Sequence, residues 1–247
     1  MINLPGAGAR RRLMSAQLEL PGMPPHQFID AVDGRGLAGA RLSAVYDDAA
    51  ALAHVGRSLT GPEIGCGASH LEAFRQIAAR GASVAVVLED DALLGHPFLE
   101  VLRRVVAMID PARPVAVLLS HVHRYSAWGA RRVDRRHALY RPYSAYGAHA
   151  YLVTLAGARA MAARFERVCT VADDWAYFAK AGILEVAALV PYIVGTSPLS
   201  GLSQIGDQRF ASAGGRSRGP WARFWNKLLF QLLIKPVFRL RRHEQTW

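Results

Sequence analysis

Ser83-Val84-Ala85-Val86-Val87-Leu88, running straight into Glu89-Asp90-Asp91, is the stretch on which the fold turns. A short, unbroken apolar run rich in valine is the pattern of a strand covered on both faces, and three acids end it abruptly. Upstream lies Ser69–Arg80, with Leu71, Phe74, Ile77 and Ala78 on one helical face. Ser69-x-x-Glu72 matches a capping box at its start and Gly81 a stop at its end. Downstream, Pro97 opens a helix through Ile109, and Val115–Leu119 repeats the buried-strand pattern. Farther out come strands at Ile2–Leu4, Phe28–Val32, Tyr151–Thr154 and Leu184–Val190, with helices near Arg10–Leu20, Ala156–Phe165 and Asp173–Ala181. This alternation predicts an α/β domain with a mostly parallel sheet.

The chain has 247 residues, 51% of them hydrophobic and 20% charged, which suits a folded body with a large core. Cys66 and Cys169 are the only cysteines, so a disulfide scaffold and a multi-cysteine zinc module are excluded. No apolar run reaches the ~20 residues of a transmembrane helix, and the arginines near the N-terminus lead into no apolar signal core. The expectation is a soluble or peripheral cytoplasmic protein.

The formal charge is +11, unevenly placed. From Gly201 to Trp247 nine bases face two acids, a surplus of seven, which leaves four for the first 200 residues. Pro220 suits the first turn of a helix from Trp221 to about Ile234, with Trp221, Phe224, Trp225, Leu228, Leu229, Leu232 and Leu233 on one face. A basic amphipathic helix of this kind fits an anionic membrane surface, through residues 220–242, or else docks on the core. Nucleic acid is not expected as a partner, because the basicity accompanies an apolar face and no nucleic-acid motif is present. The chain thus divides into a body over residues 1–205 and a basic tail over 206–247.

Three acids at the carboxyl end of a buried strand lie where open α/β sheets bind ligands. In an extended backbone Glu89 and Asp91 point one way and Asp90 the other. Two carboxylates on one side suit Mg2+ or Mn2+ that also holds substrate phosphates, whereas the alternative is a plain acidic loop. Asp30 and Asp33 end the second strand, where an acid often meets ribose; Asp33-Gly34 is also a good turn pair. Ser69 and His70 read first as helix-capping and buttressing residues, and Cys66 as packing. His121-x-His123 follows a strand and reads as a surface pair.

Five segments together resemble glycosyltransferase family 25, the lipooligosaccharide sugar transferases related to collagen galactosyltransferases. They are Ile2-Asn3-Leu4 with Arg10-Arg11-Arg12, Phe28–Gly34, Leu59–His70 (with Glu63-Ile64-Gly65-Cys66 and Ser69-His70), Val86–Asp91, and Gly147–Val153. The resemblance covers residues 2–205. It implies a GT-A-like single domain, a UDP-sugar donor carrying galactose, a Mn2+ or Mg2+ cofactor, and a glycan or lipid-linked oligosaccharide acceptor of the lipopolysaccharide class. Glu89-Asp90-Asp91 would be the metal and nucleotide element, with Asp91 and Glu89 on the metal and His149 completing the site. Asn3, Arg10, Asp30, Glu63, His70, Glu89 and Asp90 would face the donor.

Sugar transfer with inversion needs a carboxylate to take the acceptor's proton. Asp173-Asp174-Trp175 offers a carboxylate pair beside an aromatic platform, with Asp173 the first choice of base and Asp174 the second. A first-turn acid also simply favours a helix N-terminus. Gly6-Ala7-Gly8 and Gly67 depart from the family pattern. They keep open a nucleotide-sugar-binding protein of the same fold without turnover.

Overall fold

The computed structural model describes residues 1–197 and 235–243. Its centre is a seven-stranded sheet in the order β11-β6-β7-β9-β5-β8-β3. The strands are β3 (Val84–Leu88), β5 (Val115–Leu118), β6 (Arg124–Arg132), β7 (Ala138–Ser144), β8 (Ala150–Thr154), β9 (Glu185–Val190) and β11 (Leu240–Arg242). Two short ribbons flank it. In one, β1 (Ile2–Asn3) runs parallel to β2 (Ile29–Asp30); in the other, β4 (Ala92–Leu94) runs antiparallel to β10 (Val194–Thr196).

The expected apolar strands are present, but the mostly parallel sheet is not. Only β5 and β9 run parallel within the seven, and every other pair is antiparallel. The reason is that β8 inserts between β3 and β5 in the opposite direction. A valine-rich run reports cover by helices on both faces, and β3, the end strand of the sheet, has that cover although it runs antiparallel to β8. Direction is not written in that pattern.

Cover on both faces is what the structure shows. On one face α4 (Gly61–Arg80), α6 (Leu155–Arg164) and α7 (Trp175–Lys180) pack Leu71, Phe74, Ile77, Met161, Trp175 and Phe178 onto Val87, Leu118, Tyr151 and Val153. On the other, α1 (Gly8–Leu18) and α5 (Phe98–Ala107) pack Met14, Leu18, Phe98, Val101 and Val105 onto Leu88, Val117, Leu152 and Leu189. Each such side chain removed from water is worth about 1.5–3 kcal/mol, so the three layers hold one another.

Helix α4 begins eight residues earlier than the capping-box reading placed it, at Gly61 rather than Ser69. Pro62 in the first turn and the Thr60–Glu63 pair set the true start, where the Glu63 carboxylate accepts from the Thr60 amide and hydroxyl at 2.9 and 3.0 Å. Ser69 therefore lies mid-helix. Its hydroxyl donates back to the Gly65 carbonyl at 2.7 Å and accepts from the Val32 amide at 2.8 Å, tying the segment after β2 to the helix.

The basic run at 131–136 forms the tip of the β6–β7 hairpin, with Asp134 accepting the amides of Arg136 and His137 at 2.7 Å. Helices α2 (Gly39–Val45) and α3 (Asp48–Val55) build a small satellite core with Leu59 and Ile64. The expected amphipathic helix at 221–234 lies outside the described residues. Beyond it, a helical turn at Lys235–Val237 leads into β11, which pairs with β6 at the sheet edge.

Candidate functional site

Strand β1 brings the site's first residues to the start of the acidic triplet. Ile2 bridges Glu89 in parallel, so the β1–β2 ribbon continues the end of β3. Around this junction opens a cavity of about 700 Å³ lined by Asn3, Arg10, Asp33, Cys66, His70 and the whole Glu89-Asp90-Asp91 triplet, among others. That volume is in the range of sites that enclose a cofactor-sized ligand.

The three acids have different surroundings. Asp90, buried, accepts from the Asn3 amide at 2.8 Å and from Arg10 at 3.0 Å, so its charge is met within the protein. Glu89 is half-buried and pairs with His70, Nε2 to Oε1 at 3.0 Å. Asp91 has a buried Oδ1 with no hydrogen-bond partner. Burial, followed by the charges of Glu89 and Asp90, pushes its carboxyl up from 3.8 to about 6. Three crowded acids with one clamped arginine and an orphaned carboxylate oxygen form a hard, oxygen-rich, electron-dense corner. That donor set fits Mg2+ or Mn2+, with Asp91 and Glu89 as the groups able to hold it.

His70 is 3% exposed, on the inner face of α4, with Nδ1 at 2.8 Å from the Tyr151 hydroxyl. Its imidazole therefore links the core tyrosine to Glu89 at the cavity wall. His149 precedes β8, and its carbonyl accepts the Glu89 amide at 2.9 Å. Burial lowers His149 from the ordinary imidazole value, with Glu89 opposing, so it offers a neutral ring beside the triplet.

Other expected residues sit elsewhere. Glu63 is 2% exposed and turned away from the cavity, held by Arg57 in a two-pronged ion pair at 2.7 and 2.9 Å. Its burial is outweighed by those bonds and by Thr60, and its carboxyl falls to about 2. Its place is the helix start, and its side chain is not among the cavity's lining residues. Asp30 is exposed on β2, 3.9 Å from Arg11, whereas its neighbour Asp33 lines the cavity and holds Arg35 at 2.6 Å.

Asp173 is buried and accepts the Gly147 amide at 2.6 Å, and Trp175 donates to the Gly147 carbonyl at 3.0 Å. Together they fix the turn that precedes His149. Asp174 caps α7 and also meets Thr170 at 2.7 Å and His54 at 2.9 Å. Neither acid is among the lining residues. Trp175 corrects an expectation: at 2% exposure, with its ring edge-on to Tyr151, it is core and presents no platform to a sugar. The His121-x-His123 pair has two different environments. His121 stacks on His243 at 5.0 Å between ring centroids, and His123 is exposed.

Two site features escaped the sequence reading. Gly34 and Gly65 touch backbone to backbone, because a Cβ on Gly65 would stand 2.5 Å from the Val32 carbonyl and 2.6 Å from the Gly34 amide. The Gly65 position in the Glu-Ile-Gly-Cys segment was the available signal. Cys66 faces the cavity rather than the core.

No curated protein matches the chain. A family model described as glycosyltransferase family 25 (LPS biosynthesis protein) matches residues 1–176, a span that holds every residue lining the cavity. The chain belongs to glycosyltransferase family 25, the lipopolysaccharide-biosynthesis glycosyltransferases.

Proposed function

We propose that the chain transfers a sugar, galactose by family resemblance, from a UDP-sugar to a lipid-linked glycan, with Mn2+ or Mg2+ held by Asp91 and Glu89. The observation that carries this reading is the buried, unpartnered Oδ1 of Asp91 at the wall of a large cavity. An isolated carboxylate oxygen in that position costs folding energy unless a ligand meets it. When bound, the cation supplies charge to the departing diphosphate.

The chain's own residues prepare the rest. Asn3 and Arg10 lock Asp90, which fixes the backbone of the triplet, while Glu89, held by His70, and Asp91 border the cavity. Helix α1 opens at the cavity without a capping side chain or a first-turn acid, and its arginines follow at once. That end of α1 suits a diphosphate. Asp33, on the segment after β2, is placed for ribose or base. Asp173 and Asp174 enter this reading as positioning residues, the first for the Gly147–His149 turn and the second for α7.

The acceptor's lipid anchor calls for an anionic membrane surface. Supporting this, Trp128, Tyr143, Val237 and Phe238 are exposed near Arg239, Arg241 and Arg242 at the β6–β11 edge, and no helix among the described residues is long and apolar enough to cross a bilayer. The full chain should float with vesicles containing anionic lipid, several-fold less after Phe238→Asp.

Calorimetry with UDP tests the central reading. Binding should need Mn2+ or Mg2+ and weaken at least tenfold in Asp91→Asn, and UDP-sugar hydrolysis should follow the same pattern. UDP affinity indifferent to both the cation and Asp91 would sink it. Tight binding without turnover on any acceptor would favour the binding-protein alternative.

A further inference from the structure

Cys66 and His70 are one helical turn apart on α4, so they project from the same face, and Glu89 meets that face from the end of β3. The sulfur, imidazole nitrogen and carboxylate oxygen of these three residues all lie within 4.8 Å of one another, on the wall of the cavity. Tetrahedral zinc bonds of 2.0–2.3 Å put neighbouring donor atoms about 3.3–3.7 Å apart. His70 Nε2 and Glu89 Oε1 are already at 3.0 Å. Adjustments of about 1 Å would therefore close the three donors around an ion.

We propose that Cys66, His70 and Glu89 form a second cation site, one that takes a thiophilic divalent ion of the Zn2+ class and leaves a coordination position open to the cavity. Three observations support it. The donors are a thiolate, an imidazole and a carboxylate, a borderline-soft set that selects Zn2+ over Mg2+. They come from a helix and a strand of the core, so the spacing is set by rigid elements. Behind the imidazole, the Tyr151 hydroxyl lies 2.8 Å from His70 Nδ1, where it can accept from Nδ1–H once an ion at Nε2 shifts the imidazole proton to Nδ1.

Glu89 belongs to both sites. A zinc ion at Cys66 draws that carboxylate away from Asp91, so zinc should compete with Mn2+-dependent nucleotide binding. The new site shares Glu89 but rests on Cys66 and His70 as its distinct donors, and it does not require that the chain transfer sugar.

Cobalt titration of the full chain tests it, because Co2+ bound to thiolate shows an intense near-ultraviolet charge-transfer band that oxygen ligands do not give. The wild type should show the band at one equivalent, and Zn2+ should displace it. Cys66→Ser should abolish it, while Cys169→Ser and Asp91→Asn should keep it. Thermal melts would confirm that each variant is folded, and Cys66→Ala serves if the serine variant is not. Absence of the band in the wild type, or its survival in folded Cys66 variants, would overturn the site. Loss of Mn2+-dependent UDP binding in Asp91→Asn with the cobalt band intact would separate the two metal assignments.

Discussion

The side-chain amide of Asn3 donates to the carboxylate of Asp90 at 2.8 Å across 87 residues of chain. Both groups are buried, and this bond joins the first strand to the acidic triplet. A carboxylate accepts only, so the amide nitrogen must face it and the orientation of Asn3 is fixed by chemistry. Asn3→Ala leaves Asp90 with Arg10 alone. It should cost about 1–3 kcal/mol in urea unfolding and weaken UDP binding, since the triplet loses its anchor. Asn3→Asp should be worse, because it sets two carboxylates against each other.

Glu63 makes the fold acid-sensitive. Its carboxyl is held at about 2 in the folded chain against an ordinary 4.5. Folding thus favours the ionised form. The stabilisation is complete above about pH 4.5 and is lost as pH falls toward 2, an upper value of about 3 kcal/mol by linkage. Glu63→Gln should be less stable than wild type at pH 7, with the gap closing as pH drops. Urea midpoints measured from pH 7 to 2.5 check this, and a constant gap would remove Glu63 from the account.

Gly65 carries no side chain because the backbone of residues 32–34 occupies that space. Gly65→Ala should cost about 1–3 kcal/mol by overpacking. The displaced segment includes Asp33 on the cavity wall, so UDP binding should fall as well. Gly39→Ala is the control: it strains a positive φ, but nothing stands within 4 Å of its Cβ, and it should spare UDP binding.

Asp173 and Asp174 should separate cleanly. Asp174→Ala removes a helix cap with its Thr170 and His54 partners, so it should cost about 1–2 kcal/mol while folded protein keeps its turnover. Asp173→Asn should slow turnover more than it destabilises, because it loosens the Gly147 turn ahead of His149. Parallel melts and sugar-transfer rates decide. Full loss of turnover in folded Asp174→Ala would return that acid to the role of base.

Much of this was legible locally. The strand ending in Glu89-Asp90-Asp91, the α4 face of Leu71, Phe74 and Ile77, and the paired Glu-Ile-Gly-Cys and Ser-His segments point to the family and to the acidic corner. The start of α4 was misplaced because Ser69-x-x-Glu72 and Thr60-x-x-Glu63 both satisfy the capping pattern, and only backbone placement shows which serine or threonine begins the helix. Glu63 and Asp174 sit at helix starts, and in a sequence acids that cap helices and acids that hold ligands are the same residues.

The sequence by itself determined the family, the fully covered strands, the placement of surplus positive charge beyond residue 200, and the identity of the acids at the end of β3. Tertiary structure alone decided the sheet's direction, with β8 entering antiparallel between β3 and β5. It also decided which acid is satisfied and which keeps a buried oxygen without a hydrogen-bond partner. Asp90 meets Asn3 and Arg10, Asp91 Oδ1 meets no partner, and Cys66 comes within reach of His70 and Glu89. Burial pattern is a property of each residue and its near neighbours, so sequence carries it. Hydrogen-bond partnership across 80 or more residues depends on the whole packing, so it becomes visible only in the folded chain.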